Sequence, residues 1–491
     1  MTEPTPLEPD RPTFRDMMNR VVAAGACTEC GSCVVVCPHR IIEINAGKPS
    51  KRPNAEGAAD HCGVSTGVGC DACAAVCPRL WPREPHLRDA TFDGERGYEG
   101  IFGVYRHVFV ARANDAAAPA QAQDGGIVTA LLAWARERET IDGAIVAAVG
   151  EDDAPCFPTP KLATTVEQIR ASAGSWYTYC PNNLALARLA KARLARVAFV
   201  GVPCQVTGLR KMERIDPSLL LKPGKSVTVT ARQRDCLRGP AERVAFSVGL
   251  FCSEVFRPEL MTERVAGQLG IALEDVAKFN IKGEVLIQRK DGNVASIPLE
   301  EAARDYQRPE CRHCADFSAE LADISCGGIG TDRATVVVLR TARAVEIWRA
   351  FEASGRVQVW PIEQHKKAWN LLQMLSRKQR QRPPRAAGGD DAALAQYSPA
   401  RAAERALQDL RDSGRAEPEV QACLDALYRG GADRPATPSA LRGQPIPNDP
   451  GDPAPGEKRR LAPPPTPQQG GASPGADLIG LEADTQSGPA R

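Results

Sequence analysis

The sequence predicts a mixed α/β core, preceded by a small cysteine-rich domain and followed by a disordered Pro/Gly-rich tail. Strand-like apolar runs alternate with helical stretches from about residue 100 to 345, which gives the core. Eight cysteines fall between Cys27 and Cys77, which sets off the small domain. Pro or Gly fills 21 of the 57 positions from Pro435 to Arg491, a composition that cannot bury enough apolar surface to fold. The whole chain has 491 residues, 43% of them hydrophobic, enough for a sizeable core in two to four domains. Its 62 basic and 60 acidic residues nearly cancel, so nothing points to a nucleic-acid partner.

Taken in order, residues 1–18 read as a flexible tail. Met1–Pro12 is polar and Pro-rich, without the basic start and apolar stretch of a secretory signal. The longest apolar runs, around Val128–Ala135, Ala144–Val149 and Val197–Val202, fall well short of the ~20 residues that cross a bilayer. A cytoplasmic protein with no membrane span is expected. Seventeen cysteines in a long chain of this kind speak for metal ligation rather than disulfides.

Residues 19–95 form the cysteine-rich domain, with a strand-like piece at Ile41–Ile44 between its two motifs. The first motif, Cys27, Cys30, Cys33 and Cys37 followed by Pro38, reads C-x2-C-x2-C-x3-C-P. One loop of such closely spaced thiolates can wrap three corners of a cubane, while the fourth cysteine leaves on a short helix toward a second cluster. The second motif is Cys62, Cys70, Cys73 and Cys77 followed by Pro78, with seven residues between its first two cysteines. Zinc ribbons also use C-x2-C pairs, but seldom three cysteines at this spacing followed by x3-Cys-Pro. Over about 60 residues the chain resembles bacterial-type dicluster 4Fe-4S ferredoxins. That resemblance implies Cys27, Cys30, Cys33 and Cys77 on one cluster and Cys62, Cys70, Cys73 and Cys37 on the other. The displaced Cys62 leaves His61 or a three-iron site as alternatives at that corner.

The core divides into residues 96–190 and 191–345. Its strand-like runs are Gly143–Val149, Val197–Gly201, Ala245–Phe251 and Thr335–Leu339, and its helical stretches include Ile127–Arg138 and Asn183–Ala195. A helical closure over 346–380 follows. Residues 381–434 read as a linker with a helical pair, entered through a basic run at Arg377, Lys378, Arg380, Arg382 and Arg385; residues 435–491 are the tail. Neither G-x-G-x-x-G after a strand nor a P-loop occurs, and Gly327-Gly328-Ile329-Gly330 reads as a turn. None of the six histidines sits in a recognisable triad setting.

Several phrases carry the chemistry. Gln123-Asp124-Gly125-Gly126 leads into a helix with Thr129 in its first turn. Glycines there allow close backbone approach, and a helix N-terminus suits a pyrophosphate. Gly174, Ser175 and Tyr177 offer a small polar approach beside an aromatic face. Cys204 follows a strand in Val202-Pro203-Cys204-Gln205, Cys252 ends another in Gly249-Leu250-Phe251-Cys252, and Cys311 and Cys314 form a C-x2-C loop after Arg308-Pro309. Alone, the loop pair would suit zinc or a redox dithiol, and the strand-end pair would suit packing. Asp316, Glu320 and Asp323 fall on an expected helix start, as caps facing its dipole. Lys161 reads as a surface residue that could neutralise a phosphate. Cys156, Cys180, Cys236, Cys326 and Cys423 read as packing residues.

In order and spacing, these phrases resemble the coenzyme F420 hydrogenase/dehydrogenase beta subunit family over residues 100–345. The resemblance implies an iron–sulfur flavoprotein oxidoreductase. FAD would lie near Asp124, Gly125, Gly126, Thr129, Gly174, Ser175, Tyr177 and Gln205. A third 4Fe-4S cluster would sit on Cys204, Cys252, Cys311 and Cys314. The partners implied are a redox protein (ferredoxin, or a hydrogenase or dehydrogenase subunit) and a small-molecule hydride donor or acceptor such as F420. An electron-relay subunit with no substrate of its own, and a ferredoxin-dependent reductase of a chlorophyll-type intermediate, are the alternative readings.

Overall fold

Apolar runs of the core become the strands of one eight-stranded mixed sheet in a computed structural model of the chain. They are β1 (His107–Ala113), β2 (Gly143–Ala148), β3 (Thr159–Ala163), β4 (Val197–Gly201), β5 (Val244–Leu250), β6 (Ile324–Gly327), β7 (Thr335–Leu339) and β8 (Val357–Pro361). Their spatial order is β8-β1-β7-β6-β5-β4-β2-β3. The inner strands β2, β4, β5 and β6 run parallel, and the flanking pairs are antiparallel. The structure describes residues 14–38, 40–45, 47–51, 71–80, 87–88, 91–92, 98–114, 123–215 and 237–382. The expected tails and linker at 1–13 and 383–491 lie outside these residues, as do Cys62, Cys70, Cys236 and Cys423.

Parallel neighbours need crossovers, and helices supply them. Helix α1 (Ile127–Glu137) follows β1, α2 (Pro203–Arg214) joins β4 to β5, α3 (Ala342–Ala353) precedes β8, and α4 (Lys366–Arg380) follows it. Strand β4 shows why its sequence lacks polar alternation: Ala198 and Val200 enter the core beneath α1 and α3, while Val197 and Phe199 enter the core beneath α2. A strand covered on both faces reads as a continuous apolar run. A satellite antiparallel sheet (Val276–Ile281, Glu284–Arg289 and Val294–Pro298) closes its own apolar cluster around Phe256, Phe279 and Ile287.

The cysteine-rich domain has two four-residue helices, Ser32–Val35 and Ala72–Ala75, and a hairpin of Ile42–Asn45 with Lys48–Lys51. Val35, Val36, Ala72 and Val76 bury into the same apolar cluster as Leu186 and Leu209 of the core. The small domain is thereby seated on the core through shared burial.

Three local expectations are corrected. The helix expected over Asn183–Ala195 is a 3-10 segment, Asn182–Arg188, continued by turns. No helix starts after Cys314; the Asp316 carboxylate accepts from the Glu320 amide and closes a turn that leads into β6. The closure over 346–380 contains a strand, because Gly355 at φ +73° ends α3 and lets Val357–Pro361 pair with β1. Among the described residues no helix is long and apolar enough to cross a membrane.

Candidate redox site

Strands β4 and β5 are parallel neighbours, with Gly201 opposite Gly249, so both release their next residues at the same edge of the sheet. Ligands of open α/β sheets sit outside that carboxyl edge. Cys204 opens α2 just past β4, and Cys252 stands two residues past β5, where its amide donates to the Phe317 carbonyl at 2.8 Å. Cys311 and Cys314 sit in and just after a 3-10 turn, Pro309–His313, closed by the Cys314 amide on the Cys311 carbonyl at 3.2 Å. All four cysteines line one cavity.

Burial pushes the Cys204 thiol up to about 12 and Cys314 up to about 11, while Cys252 is also driven well above its ordinary range. Such thiols stay protonated until a cation compensates them, and iron is a sufficient cation. A single zinc ion, with Zn–S bonds of about 2.3 Å, would need the four sulfurs drawn tightly together. Among the described residues no three His, Cys, Asp or Glu side chains are gathered closely enough for one metal ion. Four cysteine thiols lining one cavity are a donor set that fits a 4Fe-4S cluster, one sulfur for each iron corner.

The dicluster cysteines converge in a comparable way. Gly31, at φ +85°, turns the chain between Cys30 and Cys33, and a Cβ there would meet Leu184 of the core at 2.6 Å. Burial raises Cys33, and the charges of Cys30, Cys73, Cys27 and Cys77 raise it further, so the end of the second motif lies against the first. Burial likewise pushes Cys27 up to about 12, with Cys77 and Cys30 adding to the effect. Cys37 and Cys73 are buried in the same cluster of side chains. Cys204 of the core also feels the charge of Cys30, which brings the two cysteine sets into electrostatic reach.

The glycine turn lies on the same edge of the sheet. Asp124 and Gly126 both have positive φ, 44° and 66°, and the Gly125 amide donates to Thr335 Oγ1 at 3.2 Å. Asp124 is paired with Lys282 at 2.6 Å, and Lys282 also reaches the Gly328 carbonyl at 3.3 Å, which ties this turn to Gly327–Gly330. Thr129 is half-buried in the first turn of α1. Gly174 (φ +125°) and Tyr177 (φ +55°) shape the second candidate loop. The Tyr177 hydroxyl meets Ser175, and burial together with the charges of Asp124 and Cys252 raises its ionisation far above the usual phenol. Tyr177 is therefore within electrostatic reach of both Asp124 and Cys252.

Two further candidates have other work. Gln205 Oε1 accepts from the Val202 amide at 3.1 Å and its Nε2 donates to the Cys180 carbonyl, so this side chain fixes the start of α2. Lys161 is paired with Asp153 at 2.7 Å. Cys326 is buried in β6, and Cys156 in the satellite cluster, as packing residues.

Residues that motif reading passed over complete the site. Thr28, Pro78 and Arg79 of the small domain form part of the wall of the cysteine cavity, with Arg308 and Gln379 of the core. Buried Lys211 on α2 donates to the carbonyls of Cys77 and Leu80, at 2.5 and 2.9 Å. The sequence held one hint: Arg308-Pro309 directly precedes the C-x2-C loop.

A dicluster cysteine domain seated on an α/β core, with four more cysteines at the carboxyl edge of its sheet, defines an iron–sulfur oxidoreductase. Residues 108–187 and 194–365 match the N-terminal and C-terminal regions of the coenzyme F420 hydrogenase/dehydrogenase beta subunit, and residues 26–80 match the 4Fe-4S dicluster domain. The chain is 36% identical over 279 residues to the coenzyme F420 hydrogenase subunit beta of Methanosarcina barkeri, covering 56% of this chain and 89% of that one. It is 31% identical over 348 residues to the coenzyme F420-dependent sulfite reductase of Methanocaldococcus jannaschii, covering 70% of this chain and 49% of that protein. A chain from the solved F420-reducing NiFe hydrogenase complex of Methanosarcina barkeri superposes with a TM-score of 0.51 at 34% identity, covering 57% of this chain and 91% of its own. The protein belongs to the coenzyme F420 hydrogenase/dehydrogenase beta subunit family.

Proposed function

We propose that the chain passes electrons between its dicluster domain and an organic hydride carrier, coenzyme F420 or a related compound, with FAD and a third 4Fe-4S cluster held in the core. When bound, the clusters supply one-electron exchange and FAD supplies its conversion to a hydride. The single observation behind this reading is the cavity shared by Cys204, Cys252, Cys311 and Cys314, walled on one side by the dicluster residues Thr28, Pro78 and Arg79. The four thiols would bind the cluster. Gly125, Gly126 and the N-terminus of α1 would take the FAD pyrophosphate, and Gly174, Ser175 and Tyr177 would position its ring. Phe251 and Phe317, with rings 5.4 Å apart, pack at the edge where the chain leaves β5 toward Cys252.

The test is anaerobic purification, quantification of iron and FAD, and flavin bleaching with reduced F420 and, separately, with reduced ferredoxin. About twelve irons per chain, bound FAD and rapid bleaching by reduced F420 are expected. Zinc in place of iron would overturn the reading. Bleaching by ferredoxin alone would move the substrate away from F420. The relatives named as hydrogenase subunits favour a second reading, a relay that serves a catalytic partner; bleaching by neither donor without that partner would support it.

A further inference from the structure

Two buried arginines cross the boundary between the small domain and the core in opposite directions. Arg308, 6% exposed, stands three residues before Cys311, and its Nη1 donates to the Thr28 carbonyl at 2.8 Å, inside the loop from Cys27 to Cys30. Its guanidinium lies over the Tyr179 ring, 5.2 Å from the centroid. Arg79, 8% exposed, follows Cys77 and Pro78 in the small domain and lines the core cysteine cavity. Each cysteine set is thus met by an arginine anchored in the other's domain.

We propose that Arg308 is a positioning residue for electron exchange: it fixes the spacing between the Cys27–Cys30 loop and the core cavity, and its charge, with that of Arg79, raises the reduction potential of the group on Cys204, Cys252, Cys311 and Cys314. The inference rests on reading those four cysteines as a cluster site. One electron leaves the group on Cys27, Cys30, Cys33 and Cys77 and the same electron enters the group in the core, with no bond or proton moved and reduced ferredoxin as its source; with the reduced hydride carrier as donor the electron runs the other way, from the core group to the dicluster group. The entering electron adds negative charge at a water-poor place, where a fixed cation favours it strongly. A guanidinium remains charged when buried and can hold a carbonyl with one arm while facing sulfur with another. Two carboxylates oppose it. Glu310, 2% exposed, lies 3.7 Å from Arg308 Nε, and Asp316 also lines the cavity but is engaged with the Glu320 amide.

The test compares full-length wild type with Arg308→Met, Arg308→Lys and Arg79→Met, by iron per chain and by EPR-monitored redox titration. In Arg308→Met the core midpoint is expected to fall by the equivalent of about a tenfold change in the oxidised-to-reduced ratio, 59 mV for a one-electron couple. Arg308→Lys is expected to retain most of the potential while slowing electron exchange between the two cysteine sets. Iron near eight per wild-type chain, with no third signal, would overturn the cluster reading and this inference with it. Iron near twelve, with unshifted midpoints in both Met variants, would overturn the inference alone. If Arg308→Met loses iron, Arg79→Met decides, because it leaves the Thr28 hydrogen bond in place; an unshifted midpoint there counts against the proposal.

Discussion

Arg382 Nη1 donates to the carbonyl oxygen of Cys311 at 2.6 Å and also reaches that of Ser253 at 2.7 Å. One turn earlier, Gln379 Nε2 donates to the carbonyls of Cys252 and Asp316, each at 3.2 Å. The end of α4 therefore clasps both core cysteine loops through their main chains and leaves the thiols free for a ligand.

Replacing Gln379 and Arg382 together by alanine strips partners from four carbonyls of these loops. A buried group left unpaired costs about 1–3 kcal/mol, less where water can enter as it can beside half-buried Arg382. Iron is expected to leave the core site for a chelator several-fold faster than in wild type, while the dicluster iron is retained. Equal release rates from both sites would show that the clasp does not hold the loops.

Lys211→Met tests the seating of the small domain. The Lys211 ammonium is buried and serves the carbonyls of Cys77 and Leu80. Methionine fills the volume but takes the ammonium from both carbonyls, leaving that of Cys77 only the Leu80 amide at 3.2 Å, at a cost of about 1–3 kcal/mol. Faster amide exchange over residues 71–80, with little change in α3 or β7, is the expected result. Uniform acceleration across the core would instead mean that Lys211 stabilises the fold as a whole.

How much of this was readable from sequence depended on whether the cause was local. Cys204 and Cys252 could be assigned to strand ends because buried parallel strands are continuous apolar runs, and the loop pair Cys311 and Cys314 declares its own spacing. Arg308 could not be assigned, since its partner Thr28 lies 280 residues away. Asp323 looked like a helix cap and is the centre of a buried ion network, because acidic residues after a loop give the same local pattern in both cases. Strand β8 was hidden inside a helical stretch, although Gly355 followed by alternating Val357 and Val359 marked it.

Gly125→Ala probes the candidate flavin turn. A Cβ at Gly125 would lie 2.7 Å from the Ala111 carbonyl and 2.9 Å from the Thr335 amide, both main-chain atoms that cannot swing aside. The turn must shift off the sheet edge, at about 1–3 kcal/mol. FAD affinity is expected to drop tenfold or more with iron content unchanged. Gly267→Ala, at an exposed position where a Cβ meets nothing closer than 3.4 Å, serves as the control. Equal flavin occupancy in the two variants would remove the Asp124–Gly126 turn from the FAD site.

Asp323 sets the acid limit of the core. Burial alone would raise its ionisation, but Arg210 at 3.1 Å, Arg343 at 2.7 Å and the Ser247 amide at 2.8 Å outweigh it and hold the carboxyl far below its usual range. A carboxylate depressed on folding contributes stability that is complete above its unfolded value of about 3.9 and is lost as pH falls toward the folded value. Its contribution is therefore flat through neutral pH and declines below about pH 4. Asp323→Asn leaves buried Arg210 with Glu213 as its remaining carboxylate partner, at an expected cost of about 3–5 kcal/mol near neutrality. Acid also releases iron from both proteins, so the informative quantity is the difference in urea midpoint between wild type and variant at each pH. That gap is expected to be constant from pH 8 to about pH 5 and to narrow steadily below about pH 4. A gap that stays constant down to pH 2 would mean that Asp323 is not held ionised by its two arginines.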